Sequence, residues 1–149
     1  MDKKRSGLEI GLGETVVLDL TKPLIGLGCE VYIDNFFNSP LMQYILAKQN
    51  IKSFGTVRNQ RKHTPKHLPL DKDMKRGDIY ATNSEGISFI KWMDNKAMHL
   101  LTNFLSPIPT QKVKRKQVGS AQCLEITCPD IVRKYSKNME GVDLMDKKK

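Results

Sequence analysis

The chain has 149 residues, an apolar fraction of 39%, and 25 lysines and arginines against 16 aspartates and glutamates. This length suits one ordinary domain or a fragment of one, and the apolar fraction suffices for a modest core. No run of about 18 apolar residues is present and the N-terminus lacks a signal-peptide pattern, so the sequence predicts an intracellular protein without a membrane partner. The net charge of +9 favours polyanionic partners such as DNA or RNA.

The first part of the chain alternates helical and strand patterns. The predicted elements are a helix over 15–27, a strand over 30–34, a helix opened by Ser39-Pro40, and a strand over 53–57. Pro23 is expected to kink or weaken the first helix, and Gly28 to stop it. This order predicts an α/β fold with a parallel strand pair joined by a crossover helix.

A change of character follows residue 57. The stretch RNQRKHTPKHLP is basic and broken by prolines, which predicts a loop. Strands are expected over 79–82 and 87–93 with a turn between them, and a third strand over 97–103. These three strands predict an antiparallel meander attached to the α/β core.

The C-terminal part begins with a basic stretch and ends in a helix. Residues 106–118 are predicted to be a linker. Its cations are Lys112, Lys114, Arg115 and Lys116. They are compatible with a nuclear-import signal, with a phosphate contact, or with no role beyond linking. A helix is expected to open at Thr127–Asp130, with Thr127 as its cap. Its apolar face is predicted to be Ile131, Val132, Tyr135 and Met139. Gly141 is predicted to break this helix.

Three aspartates occupy positions where catalytic carboxylates are often found. Asp34 ends the first predicted strand, and ligands in open α/β sheets usually bind at the carboxyl ends of the strands. Asp143 and Asp146 are three residues apart, so on a helical turn both point the same way. Converging carboxylates suit Mg²⁺, and a pair of such ions can clamp a phosphodiester. Ordinary turn chemistry and helix-dipole effects are the alternative explanation.

Four motifs in chain order resemble those of the piggyBac transposases and their domesticated derivatives. VYIDNFFNSP resembles the family's D-N-x-F-T/S-S segment, and GTVRNQRKHTPKHLP resembles its G-T-x-R-x-x-R…P pattern. IKWMDNKAMHLLTNF is similar to the K-W-x-D-K turn, and CPDIVRKYSKNMEGVDLMD to P-x-x-V-x-x-Y-N-x-x-M-G-G-V-D-x-x-D. Together the motifs span roughly residues 9 to 146, and four in register are far more specific than one.

The resemblance implies a partial RNase H-like core of the DDE/DDD transposase type, with the antiparallel meander as an insertion. It implies that Asp34 and Asp143 are the second and third catalytic aspartates, with Asp146 close by, and that these acids bind Mg²⁺. It also implies that Phe36 and Phe37 pack the turn after Asp34. The implied contacts to DNA at transposon ends are Arg58, Arg61 and Lys62.

The expected domain organisation is one transposase catalytic-domain fragment over 1–149. Residues 15–57 and 128–146 are predicted as core elements, and 58–118 as basic loop, meander insertion and linker. The first catalytic aspartate of the family has no counterpart in this sequence, so the chain alone is expected to be inactive. A domesticated DNA-binding protein without catalysis is the alternative, and a relic without function is a third. The resemblance further implies a nuclear location and a homodimer for the full-length protein.

Overall fold

The computed structural model describes residues 11–58, 61–106, 110–117, 119 and 121–147, with backbone alone for 140–147. The elements, in chain order, are α1 (Leu12–Thr21), β1 (Glu30–Ile33), α2 (Pro40–Lys48), β2 (Lys52–Thr56), β3 (Ile79–Ser84), β4 (Ile87–Met93), β5 (Ala97–Thr102), β6 (Thr110–Lys116), β7 (Cys123–Pro129) and α3 (Asp130–Lys147). Short 3-10 turns lie at Lys22–Leu24 and Asp71–Asp73. Within these described ranges, no helix has both the length and the apolarity to cross a bilayer.

Five strands form one mixed sheet in the order β1-β2-β5-β4-β3, and β6 pairs with β7 in a second, two-stranded sheet. β1 and β2 are parallel, with Ile33 opposite Gly55, and α2 crosses between them. This confirms the predicted parallel pair. The strands β3, β4 and β5 are antiparallel neighbours, and β5 pairs directly with β2. They therefore extend the sheet of β1 and β2.

Local chemistry explains where α1 and α2 begin and end. The Ser39 hydroxyl accepts a hydrogen bond of 3.1 Å from the Met42 amide, and Pro40 is the first helical residue, as predicted. The predicted helix over 15–27 is wrong in its bounds, because the α-helix spans Leu12–Thr21 and a 3-10 turn containing Pro23 follows. Proline has no amide hydrogen and its ring obstructs the preceding turn, so the α-helix ends before it.

The sheet is covered on both faces. Successive side chains of a strand point to opposite faces, so Tyr32 and Phe54 lie on one side, and Ile33 on the other. On the first side, α3 and the β6–β7 hairpin bury a cluster that consists of Phe54, Ile90, Trp92, Leu100, Val113, Ile126, Cys128, Ile131, Val132 and Tyr135. On the second side, α1 and α2 contribute Val17, Met42 and Leu46 to a smaller cluster with Ile33 and Ile51.

The C-terminal part differs most from its prediction. The predicted linker over 106–118 contains strand β6, whose residues Thr110–Lys116 pair antiparallel with β7. Thr127 does not cap a helix, because it lies within β7 and α3 begins at Asp130. Gly141 does not break the helix, whose backbone continues to Lys147. The predicted apolar face is confirmed, since Ile131, Val132 and Tyr135 are buried and Met139 packs against them.

Candidate functional site

The candidate site is centred on Asp34, in the turn that follows β1. Its carbonyl oxygen accepts hydrogen bonds of 3.0 Å and 3.1 Å from the Phe37 and Asn38 amides, which close the turn before α2. Its carboxylate is exposed, and Oδ1 accepts a 2.6 Å hydrogen bond from the Asn35 amide. The turn thus presents a solvent-facing carboxylate at the carboxyl end of β1, where open α/β sheets usually bind ligands.

Asn38 fixes the far end of this turn from inside the protein. Its side chain is fully buried, donates to the Thr56 carbonyl at 3.0 Å, and accepts from the Gln43 amide at 2.9 Å. The Ser53 hydroxyl in turn donates to the Gln43 side-chain oxygen. Buried amides in a satisfied network allow few alternative arrangements, so the Asp34 turn is held in register with β2.

The basic loop after β2 lies against the same turn. The Arg61 guanidinium donates to the backbone carbonyls of Asn35 (3.2 Å) and Phe36. The Arg58 guanidinium lies 5.9 Å from the centre of the Phe36 ring, a cation–π arrangement. Lys62 is exposed in the same loop. The structure therefore brings the loop and Asp34 together, but it uses Arg61 to hold the turn.

The two phenylalanines after Asp34 have different environments. Phe37 is half-buried and packs against the α1–α2 cluster, which agrees with a packing role. Phe36 is 57% exposed and is therefore not a core residue, although its ring packs on Phe37 within the turn. The rings meet edge to face at 4.9 Å, and the outer face of Phe36 lies beneath Arg58. Phe36 thus connects Arg58 to the Asp34 turn.

Tyr135 brings α3 to the same end of the sheet. Its hydroxyl lies 3.2 Å from the Thr56 hydroxyl, and its ring meets Phe54 edge to face at 5.5 Å. Burial raises the pKa of the Tyr135 phenol above its ordinary value; the hydrogen bond to Thr56 offsets part of this, and the nearby Asp34 carboxylate raises it further. Tyr135 therefore carries a neutral hydroxyl near Asp34 at physiological pH.

The C-terminal aspartates belong to the last part of α3, of which only the backbone is described. Asp143 and Asp146 follow Tyr135 by about 12 Å and about 17 Å along the helix axis, given a rise of about 1.5 Å per residue. Their convergence with Asp34 stays a prediction. Among the side chains that are described, no three histidines, cysteines, aspartates or glutamates lie together as metal ligands.

A cleft of about 660 Å³ opens beside the Asp34 turn, between the end of β2 and the β4–β5 turn. Asn35, Arg58 and Lys96 contribute polar groups to its lining. Asp94 also lines it, but Arg76 binds one carboxylate oxygen at 3.0 Å and Arg115 the other at 3.2 Å. The single acid of this lining is therefore neutralised, and the cleft suits an anionic ligand.

The sequence motifs located Asp34, Arg58 and Arg61 but missed two residues of the site. Asn38 gave no signal, because its partners Gln43 and Thr56 become its neighbours only after α2 has folded back onto β2. Tyr135 was predicted only as part of an apolar face, and its hydroxyl bond to Thr56 joins residues 79 positions apart. Such long-range pairs have no local sequence signature.

The contacts of Arg61 predict a structural cost for a conservative change. The substitution Arg61→Lys keeps the charge but removes the planar guanidinium whose Nη2 donates to the Asn35 and Phe36 carbonyls. We expect the free energy of unfolding to fall by about 1–2 kcal/mol, as for the loss of charged hydrogen bonds. Urea denaturation followed by the fluorescence of Trp92 measures this.

The matched control is Arg58→Lys, which changes an exposed cation–π contact worth about 0.5–1 kcal/mol at most. Equal losses for the two variants, or none for Arg61→Lys, would show that the guanidinium does not hold the turn.

Comparison with known proteins gives a consistent result. The family model described as Transposase IS4 matches residues 1–148. The human piggyBac transposable element-derived proteins 2 and 3 are 28% and 25% identical over 147 residues, which cover 92% and 93% of this chain. The chain spans about a quarter (24%) of the length of either relative.

A solved structure also has a similar fold. It is a cryo-EM structure of a piggyBac transposase synaptic complex with hairpin DNA, with a TM-score of 0.70 and 21% sequence identity. The likeness covers 97% of this chain and 28% of the other. The described elements therefore share their fold with part of a protein about three and a half times as long.

Proposed function

Because the chain belongs to the Transposase IS4 family, and within it to the piggyBac type, we propose that it is part of the catalytic domain of a DNA transposase. The proposed fold is an RNase H-like core, and the proposed substrate is DNA at transposon ends. The observation that carries this proposal is the exposed Asp34 carboxylate at the end of β1, with Arg58 and Arg61 against its turn.

The proposed metal ligands are Asp34, Asp143 and Asp146. Asp34 fits this role, because its carboxylate is exposed and a backbone amide orients it through Oδ1. Mg²⁺ bound there would polarise a phosphodiester and lower the pKa of an attacking water. We propose that none of the 149 residues supplies the first catalytic aspartate of the family. We therefore propose that cleavage and strand transfer need a further acidic ligand from outside this sequence.

The chain's own residues have distinct proposed roles toward DNA. Arg58 and Lys62 bind backbone phosphates, for which arginine's fork and lysine's point charge are suited. Arg61 holds the Asp34 turn and adds positive charge at the same place. Asn35 and Arg58 line the cleft in which the phosphate beside Asp34 would lie. The proposed compartment is the nucleus, and the proposed assembly of the longer protein is a homodimer.

Metal binding at Asp34 tests this function without requiring activity. Mn²⁺ takes oxygen ligands as Mg²⁺ does, and its unpaired electrons broaden nearby NMR signals. In a titration of the ¹⁵N-labelled chain we expect broadening centred on the amides of Asp34 and Asn35. The substitution Asp34→Asn is expected to abolish it, while Asp73→Asn, at an exposed carboxylate elsewhere, leaves it unchanged.

Broadening that is spread over all exposed acids, or that survives in Asp34→Asn, would overturn the assignment of Asp34 as a metal ligand.

A further inference from the structure

A further concentration of positive charge lies between β6 and α3. A groove of about 1120 Å³ separates the strand from the helix. Six cations line it: Lys112, Lys114, Arg115, Arg133, Lys134 and Lys137. As far as the described residues form it, this lining contains no aspartate or glutamate. We call it the β6–α3 groove.

Most of these cations are not neutralised by neighbours. In the part of the chain that the structure describes, Arg115 is ion-paired with Asp94 at 3.2 Å and Lys134 with Glu30 at 3.5 Å. Others have neutral partners: the Lys112 ammonium donates to the Thr127 hydroxyl at 2.8 Å, and the Arg133 guanidinium to the Gln111 side-chain oxygen at 3.1 Å. The groove therefore keeps a strong positive potential.

Opposite one of these cations lies an acid. Lys114 is paired in the strand register with Glu125, yet the described residues show no ion pair between them. A single exposed carboxylate on the neighbouring strand offsets one charge at most. Asp130 is a further neighbouring acid, since its Oδ1 accepts a 2.7 Å hydrogen bond from Gln111 of the lining. Among the described residues, the six lining cations outnumber the four neighbouring acids, which are Glu30, Asp94, Glu125 and Asp130.

The lysines of β6 are spaced regularly along the strand. Lys112, Lys114 and Lys116 are all exposed, while Val113 between them is buried, so the three lysines share one face. Alternate residues of an antiparallel strand are about 6.8 Å apart, from a rise of about 3.4 Å per residue. The row thus repeats positive charge every few ångströms, the scale on which duplex DNA carries its phosphate charges.

The lining disfavours an anionic membrane as the partner. Interfacial binding requires apolar side chains that enter the lipid. The apolar residues of the groove, Val113 and Val132, are only 6% and 4% exposed and belong to the core. A flat array of cations without an exposed apolar face fits a phosphate backbone better.

We propose that the β6–α3 groove is a second DNA-backbone site, separate from the cleft beside Asp34. It binds phosphates without reading bases, since its contacts are ammonium and guanidinium groups. The proposal rests on the proposed function, because DNA is the partner both of this groove and of the cleft beside Asp34. It gives Lys112, Lys114 and Arg115 of the basic cluster a defined structural role as one wall of a groove.

Salt-dependent binding to duplex DNA tests the proposal. We would measure the affinity of the 149-residue chain for a fluorescein-labelled 30-base-pair duplex by anisotropy between 50 and 300 mM NaCl. The groove variant carries Lys112→Gln, Lys114→Gln and Lys137→Gln. The control carries Lys52→Gln, Lys72→Gln and Lys75→Gln, also at exposed positions. Both lower the net charge by three, and circular dichroism checks that both keep the fold.

We expect the groove variant to bind at least tenfold more weakly at 100 mM NaCl. Its salt slope should fall by up to about 2.7, from ~0.9 per lost phosphate contact. The control is expected to bind within about twofold of the parent chain, since only charges at the interface release counterions. Equal losses for both variants would overturn the proposal.

Two further probes separate this proposal from other outcomes. The variant Arg58→Gln, measured in the same assay, reports on the cleft. If Arg58→Gln binds duplex DNA more weakly and the groove variant binds as the parent chain does, the groove proposal fails while the cleft proposal stands. Polyglutamate and phosphatidylserine vesicles are tested for binding to the parent chain and to the groove variant. If either one needs the groove lysines for binding and DNA does not, the groove serves another partner and the proposal is overturned. If the parent chain does not bind the duplex, the proposed groove site and the proposed DNA contacts of the basic loop both fail. Mn²⁺ broadening still tests the proposed metal role of Asp34 separately.

Discussion

Replacing Gly55 by alanine is expected to destabilise the chain by about 3 kcal/mol or more, at the upper end of the cost of overpacking. Gly55 lies on β2 opposite Ile33 of β1, and a Cβ at this position would overlap the Ile33 carbonyl oxygen. No side-chain rotation can relieve this contact, because the Cβ position is fixed by the Gly55 backbone and the oxygen belongs to the Ile33 backbone. The strands must separate at the end that carries Asp34.

Urea denaturation followed by the fluorescence of Trp92, the single tryptophan, measures the loss. Gly13→Ala is the matched control, because a Cβ at Gly13 would make only ordinary contacts, the nearest at 3.7 Å. Alanine within α1 is expected to be neutral or to stabilise by up to about 1 kcal/mol. A Gly55→Ala variant as stable as the parent would mean that β1 and β2 are not held as closely as the register shows.

The elements near Asp34 could be predicted because their signals are local. The Ser39-Pro40 helix start, the alternation of strand and helix, and the turn before the strand at 87–93 all depend on residues a few positions apart. Each acts through its own backbone conformation or through adjacent neighbours. The predicted parallel pair followed from the helix between two short strands, and β1, α2 and β2 confirm it.

The C-terminal hairpin could not be predicted in the same way, because β6 resembles a solvated linker in composition. Lysines occupy alternate positions of this strand, and Val113 is its single buried apolar residue. Pairing with β7 and the contact of Gln111 with Arg133 of α3 make it a strand, and neither is visible in the composition of the segment itself. Tertiary packing decides such segments, so charge content alone misled the prediction.

The site itself was predicted in part. The motifs gave Asp34 and the basic loop, but the different uses of Arg58 and Arg61 depend on which backbone carbonyls face the loop. That information exists only after the turn has folded. The same holds for Asn38, whose neighbours in the sequence give no sign that its amide is buried.

Truncation of Asn38 to alanine is expected to lower the free energy of unfolding by about 3 kcal/mol. The change leaves the Gln43 amide and the Thr56 carbonyl without their partner in a fully buried place, and each such group costs about 1–3 kcal/mol. Asn83→Ala is the matched control, because this asparagine is exposed and its side chain donates a 2.9 Å hydrogen bond to the Ser88 hydroxyl. Its cost is expected to stay within about 0.5 kcal/mol.

The variant Asn38→Thr shows whether the Asn38 side chain stabilises the protein through its hydrogen bonds or by filling space in the core. The piggyBac motif usually has threonine or serine at this position, and one hydroxyl can replace only one of the two amide bonds. We expect its loss of stability to lie between that of Asn38→Ala and zero. Because the Asn38 backbone amide also bonds to the Asp34 carbonyl, Mn²⁺ broadening at Asp34 should weaken in the same order. If Asn38→Ala lowered stability without weakening that broadening, the buried network would support the core but would not position the carboxylate.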